Sequence, residues 1–211
     1  IGPIVGQQVT IGPDNFAVAD VNARIILIDQ KAGASFESKI LGGAVTQCDV
    51  IVKTVEGGVE KGYMSSTGGT YLPDDGGPAI TEAVLRAKAN PVGEALTLTY
   101  TAVPPGAGQR MGIDRDEDLV LNGVDNCPAA PNGPGGGTCT VGDAALLATE
   151  CSIGSECGAM GFCSSNQEDT DVDLVGDACE PTLVPEPSII LMLGVGGTLL
   201  TFFARRRAAR S

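Results

Sequence analysis

The stretch Asp114-Arg115-Asp116-Glu117-Asp118-Leu119-Val120-Leu121-Asn122-Gly123-Val124-Asp125 decides the reading of this chain. Its pattern returns as Asp169-Thr170-Asp171-Val172-Asp173-Leu174-Val175-Gly176-Asp177-Ala178-Cys179-Glu180. Side-chain oxygens fall at positions 1, 3, 5, 9 and 12 of both: Asp114, Asp116, Asp118, Asn122 and Asp125, then Asp169, Asp171, Asp173, Asp177 and Glu180. Position 7, Val120 or Val175, offers a backbone carbonyl. Three carboxylates on alternate residues of a tight coil repel one another, and a divalent ion between them turns that repulsion into binding.

This is the spacing of EF-hand-like loops, so the expected cofactor is calcium. One departure stands out. Position 6 of such loops is normally glycine, because the turn there favours positive φ, yet the residues are Leu119 and Leu174. The formal net charge of −13 is concentrated in residues 114–180, while residues 181–211 are basic. An acidic middle repels phosphate backbones, which excludes a nucleic-acid partner. The chain has no His and no Trp. That removes His triads, His zinc sites and His acid–base chemistry. With no G-x-S-x-G elbow or phosphate loop either, these residues predict no enzyme.

Six of the seven cysteines (Cys127, Cys139, Cys151, Cys157, Cys163 and Cys179) lie in this middle stretch, which has few large apolar residues. Clustered cysteines without a C-x-x-C pair read as disulfides of an oxidising compartment rather than as a zinc site. Asp125-Asn126-Cys127-Pro128 with Asn132, and Asn166-Gln167-Glu168-Asp169 through Gly176-Asp177-Ala178-Cys179, resemble the two halves of a thrombospondin type 3 repeat. The resemblance implies aspartate-wrapped calcium ions in place of an apolar core, and a Cys127–Cys179 pair. Residues 133–165 then read as an insertion whose four cysteines pair in one of three ways. A cohesin-binding dockerin also uses paired calcium loops, but the Asn-Cys-Pro and Gly-Asp-Ala-Cys elements argue against it.

Upstream, residues 1–103 predict a small β-rich domain with one helix. Arg24–Asp29 (RIILID) reads as a buried strand. Asp49–Val55 and Val59–Ser65 about Gly57-Gly58 read as a hairpin. Thr81–Ala89 reads as the helix, with Thr81 as its cap. Glu94–Val103 alternates Leu96, Leu98, Tyr100 and Ala102 on one face of a strand. Asp74-Asp75 before Gly76-Gly77 reads as a solvated turn, and Cys48 as a buried thiol or the partner of a cysteine outside this chain. Residues 104–113 read as a linker. The fold class is thus mainly β, then irregular disulfide- and calcium-stabilised loops, then one C-terminal transmembrane helix.

That helix is predicted over Ser188–Ala204, 17 uncharged residues spanning about 25 Å, after a linker at 181–187. Arg205, Arg206 and Arg207 follow and stay cytoplasmic, so the bulk of the chain lies outside that membrane. Pro185-Glu186-Pro187, an apolar helix and an arginine cluster, in that order, resemble the PEP-CTERM sorting signal. The resemblance implies an exosortase as processing partner and an inner-membrane-anchored precursor in a Gram-negative bacterium. It also implies later display on the outer surface or in the extracellular matrix, in company with exopolysaccharide and biofilm. Ile1–Gly6 has no signal-peptide character, so the chain is expected to be part of a larger exported protein. The expected role is structural or adhesive; the rival is the C-terminal stalk of an exported enzyme whose catalytic domain lies upstream.

Overall fold

The computed structural model describes residues 4–66 and 68–180. The sorting tripeptide, the apolar run 188–204 and Arg205–Arg207 lie outside the described residues. Among the described residues no helix is long and apolar enough to cross a membrane.

The first part is an antiparallel sheet. Its strands are β1 (Gln8–Ile11), β4 (Asp49–Glu56), β5 (Val59–Ser66), β6 (Thr70–Pro73), β7 (Ile80–Thr81) and β8 (Leu98–Val103), in the order β1-β8-β4-β5-β6-β7. A separate ribbon joins β2 (Ser35–Ser38) to β3 (Gly43–Thr46). The expected hairpin is β4–β5, closing at Glu56 opposite Val59. Its two-residue turn needs positive φ twice, and Gly57 and Gly58 adopt φ of 60° and 90°. Leu98, Tyr100 and Ala102 face the core from β8 as the alternation predicted, but the strand begins at Leu98, not Glu94.

Arg24–Asp29 is not a strand. It lies inside α1 (Ala19–Lys31), the main helix. Ile25 and Ile28 are fully buried while Ile26 and Leu27 are exposed, which is helical rather than alternating spacing. Val21 and Ala32 extend the same stripe onto the core. Burying each isoleucine contributes about 1.5–3 kcal/mol, enough for tertiary packing to settle an ambiguous six-residue run. The helix expected at Thr81–Ala89 is the shorter α2 (Glu82–Ala87), and the Thr81 hydroxyl accepts the Val84 N–H at 3.3 Å as its cap.

Val50 and Val52 point to the face covered by α1 and α2, together with Tyr63, Tyr71 and Tyr100. Ile51, on the other pleat, is buried by α3 (Gly108–Gly112). Residues 104–113, read as a linker, therefore dock on the sheet. The Asp49 carboxylate accepts the N–H groups of Gly106 and Gly108, and Lys53 Nζ donates to the Gly112 carbonyl at 2.9 Å. Asp74, expected in solvent, is buried: its Oδ2 accepts the Gly62 N–H, and burial pushes its pKa up. Asp75 is exposed and pairs with Lys61 at 2.7 Å. Cys48 is a buried free thiol.

The insertion forms a second, small sheet of β9 (Gly137–Val141), β10 (Glu150–Cys151) and β11 (Phe162–Ser164), ordered β10-β9-β11. Its buried cluster consists of Cys139, Cys151, Cys157 and Cys163 alone. Of the three possible connectivities it uses Cys139–Cys157 and Cys151–Cys163. Disulfides replace apolar packing here, as the composition requires.

Candidate metal centre

Both acidic loops fold the same way. Glu117 and Leu119 in the first, and Val172 and Leu174 in the second, sit at φ of 62°, 74°, 62° and 79°. Positions 4 and 6 are therefore left-handed in each loop, which explains why glycine is the usual occupant of position 6. Two hydrogen bonds repeat in register. Position 9 braces position 2: Asn122 Oδ1 accepts the Arg115 N–H at 2.9 Å, and Asp177 Oδ1 accepts the Thr170 N–H at 2.8 Å. Position 5 closes a turn onto position 7: Asp118 Oδ1 accepts the Val120 N–H at 2.7 Å, and Asp173 Oδ1 the Val175 N–H at 2.8 Å.

The carboxylates at positions 1, 3 and 5 converge in both loops. One oxygen each from Asp114, Asp116 and Asp118 lies within 4.8 Å of the others, and the same holds for Asp169, Asp171 and Asp173. Asp125 stands near the first group: after burial, the charges of Asp118, Asp125 and Asp114 all push the Asp116 pKa up. Asn122 and Asp177, expected among the ligands, have their oxygens engaged in bracing the loops.

The two sites differ in burial. Asp114 and Asp118 are fully buried and Asp125 nearly so, whereas Asp171 and Asp173 are exposed. Among the described residues, four of the five buried side-chain oxygens without a partner belong to the first site: Asp114 Oδ1, both oxygens of Asp116, and Asp125 Oδ2. A buried unpaired polar group costs about 1–3 kcal/mol, and a charged one more. Burial and the surrounding carboxylates push the Asp116 pKa up to about 6, and burial likewise raises that of Asp125. This donor set fits a hard divalent cation, which takes six to eight oxygens without needing their protons. In the second site, desolvation and then the neighbouring aspartates raise the pKa values of Asp171 and Glu180.

Supporting contacts hold the first site in place. Asp118 Oδ2 accepts the Asn132 N–H, and Asp125 Oδ1 accepts the Cys127 N–H, both at 2.8 Å. Gln109, on α3, donates through Nε2 to Asp114 Oδ2 at 2.9 Å. Sequence reading missed Gln109, because its only signal is a contact across a segment that looked like a linker. The Gly123 N–H donates to the Asp74 carbonyl at 2.9 Å, tying the loop to the sheet. A cleft of about 460 Å³, lined in part by Asp116, Glu117, Glu150 and Glu156, gives a cation an acidic approach to the loop.

The two loops are clamped together. Asn132 Nδ2 donates to Asn126 Oδ1 at 2.7 Å, Gln167 Nε2 donates to Asn132 Oδ1 at 2.6 Å, and Asn126 Nδ2 donates to the Gln167 carbonyl at 3.0 Å. Gly176 packs on this amide ring, where a Cβ would collide with Asn126 Oδ1. Beside it, Cys127 and Cys179 form a disulfide with Cα atoms 5.5 Å apart.

Residues 113–133 and 168–181 match the thrombospondin type 3 repeat. The unmatched stretch between these two halves of the repeat is the disulfide-rich insertion, and across it the amide ring, the Gln167 and Gly176 N–H groups on the Asn132 and Asn126 carbonyls, and the Cys127–Cys179 bond join the halves. Residues 183–207 match the PEP-CTERM protein-sorting motif. No curated protein and no solved structure matches the chain. The chain therefore carries a repeat of a calcium-binding family directly ahead of a protein-sorting motif.

Proposed function

We propose that this chain is a calcium-stabilised, non-enzymatic protein of the bacterial surface or extracellular matrix, with a structural or adhesive role. In this reading it is exported, held by its C-terminal apolar segment in the inner membrane of a Gram-negative cell, and recognised by an exosortase. Pro185, Glu186 and Pro187 are the recognised element, and Arg205–Arg207 keep the end of the chain cytoplasmic. Exopolysaccharide is the surface component it accompanies.

The observation that carries this reading is the set of four buried carboxylate oxygens without partners in the first loop. A calcium ion there converts an electrostatic cost into folding energy, which suits a module with few apolar side chains. Calcium is plentiful outside the cell, where disulfides also persist. The three disulfides and the sorting-motif match support the same compartment.

Thermal unfolding of the full chain in a mild non-ionic detergent, with millimolar calcium or with chelator, tests the calcium part. A rise of several degrees with calcium is expected, and superimposable curves refute it. Mass spectrometry of the protein from an exosortase-bearing cell tests the sorting part. The expected product lacks Arg205–Ser211, and an intact C-terminus contradicts processing.

A further inference from the structure

We infer that the two halves of the repeat hold calcium unequally: the 114–125 loop takes the tight, structural ion, and the 169–180 loop takes a weak, exchangeable one. The inference rests on the calcium reading and deepens it. Identical sequence spacing and identical backbone turns predict equal sites. The surroundings do not. In the first loop Asp114 is fully buried with Oδ1 unpartnered, Asp125 is about nine-tenths buried with Oδ2 unpartnered, and both oxygens of Asp116 are buried and unpartnered. These oxygens have lost water and gained nothing, so a cation recovers the full cost of their burial. In the second loop that demand is already met. Asp169 Oδ1 accepts the N–H groups of Val172 and Asp173, and its Oδ2 accepts that of Leu174 at 3.0 Å. Asp177 accepts both the N–H and the hydroxyl of Thr170. Asp171 and Asp173 are exposed, so water reaches the carboxylates that the first loop buries.

Rigidity points the same way. The first site is fixed from three directions: by Gln109 of α3 on Asp114, by Asn132 on Asp118, and by the Asp74 carbonyl on Gly123. Ligand rigidity and charge count tune calcium affinity over several orders of magnitude. The second loop is anchored at its two ends, by Gln167 in the amide ring before it and by the Gly176 contact and the Cys127–Cys179 bond after it, whereas the bonds that Asp169 and Asp173 accept all come from within the loop.

Calorimetric titration of calcium into the full chain in detergent, with terbium luminescence as a second probe, tests this. Two steps separated by at least about tenfold in affinity are expected. Asp116→Asn removes the tighter step, and Asp171→Asn removes only the weaker. Because Asp116→Asn also touches the fold, Gln109→Ala serves beside it: it weakens the tight step several-fold and leaves the weak one unchanged. Two equal steps, or loss of the tight step in Asp171→Asn, overturn the inequality while leaving calcium binding intact. No heat and no luminescence at millimolar metal overturn the calcium reading itself.

Discussion

Replacing Leu119 by glycine should stabilise this protein, against the usual expectation for removing a large side chain. Leu119 sits at φ 74° and Leu174 at φ 79°, in the region that costs an L-residue roughly 1–2 kcal/mol. Leu119 is 64% exposed and Leu174 82% exposed, so little burial is lost with either side chain. Glycine returns about 0.4–1 kcal/mol of freedom to the unfolded chain, which offsets part of the gain. The net is about 0.5–1 kcal/mol per loop, or roughly a two- to fivefold tightening if expressed as calcium affinity. Denaturant unfolding in saturating calcium, paired with calcium titration, reads both quantities. Leu119→Ala is the control, because it trims the side chain but keeps the Cβ that creates the strain. Leu119→Gly should gain and Leu119→Ala should not. A Gly variant that loses stability, or an Ala variant that gains as much, would refute backbone strain as the cost of these leucines.

The unpaired carboxylates give the metal-free protein an inverted pH dependence. Asp116 has its folded pKa raised to about 6, so the folded state binds its proton more tightly than the unfolded chain does. In chelator its favourable contribution, present at low pH, is lost as pH rises through about 4 to 6, so Tm should rise when pH is lowered from 7 to 5. In saturating calcium the trend should reverse, because protons then compete with the ion. Converting Cys127 and Cys179 to serine opens a loop with a sequence separation of 52 residues, which costs about 4 kcal/mol in chain entropy, measurable by denaturant unfolding against the parent. Gly176→Ala places a Cβ against Asn126 and Asn132 in the amide ring, and should cost about 1–3 kcal/mol in the same assay, with Gly135→Ala a comparison site against the first loop.

Much of the site was legible because its chemistry is local in sequence. Carboxylates on alternate residues and the need for a left-handed position at Leu119 and Leu174 follow from twelve residues read in order. The β4–β5 hairpin was legible for the same reason, since Gly57-Gly58 sets its turn. What was hidden depends on distant partners. Arg24–Asp29 is equally apolar as strand or helix, and only packing of Ile25 and Ile28 beneath the sheet decides for the helix. Gln109 and Asp74 took their roles from contacts with a loop lying beyond them in the chain. The burial that distinguishes the first loop from the second is likewise supplied by neighbours, so identical motifs carried no sign of it. The Cys139–Cys157 and Cys151–Cys163 pairs could not be chosen from spacing, because any pairing of four cysteines in a loop-rich stretch is chemically admissible.

A crystal structure of the calcium-soaked protein, with anomalous data collected to locate the ion, tests most directly whether metal takes the place of an apolar core. The expected map shows a calcium ion bound by Asp114 Oδ1, Asp116 and Asp125 Oδ2 at about 2.3–2.6 Å. Well-ordered carboxylates facing away from one another, with water or a side-chain amide between them and no anomalous peak, would contradict it.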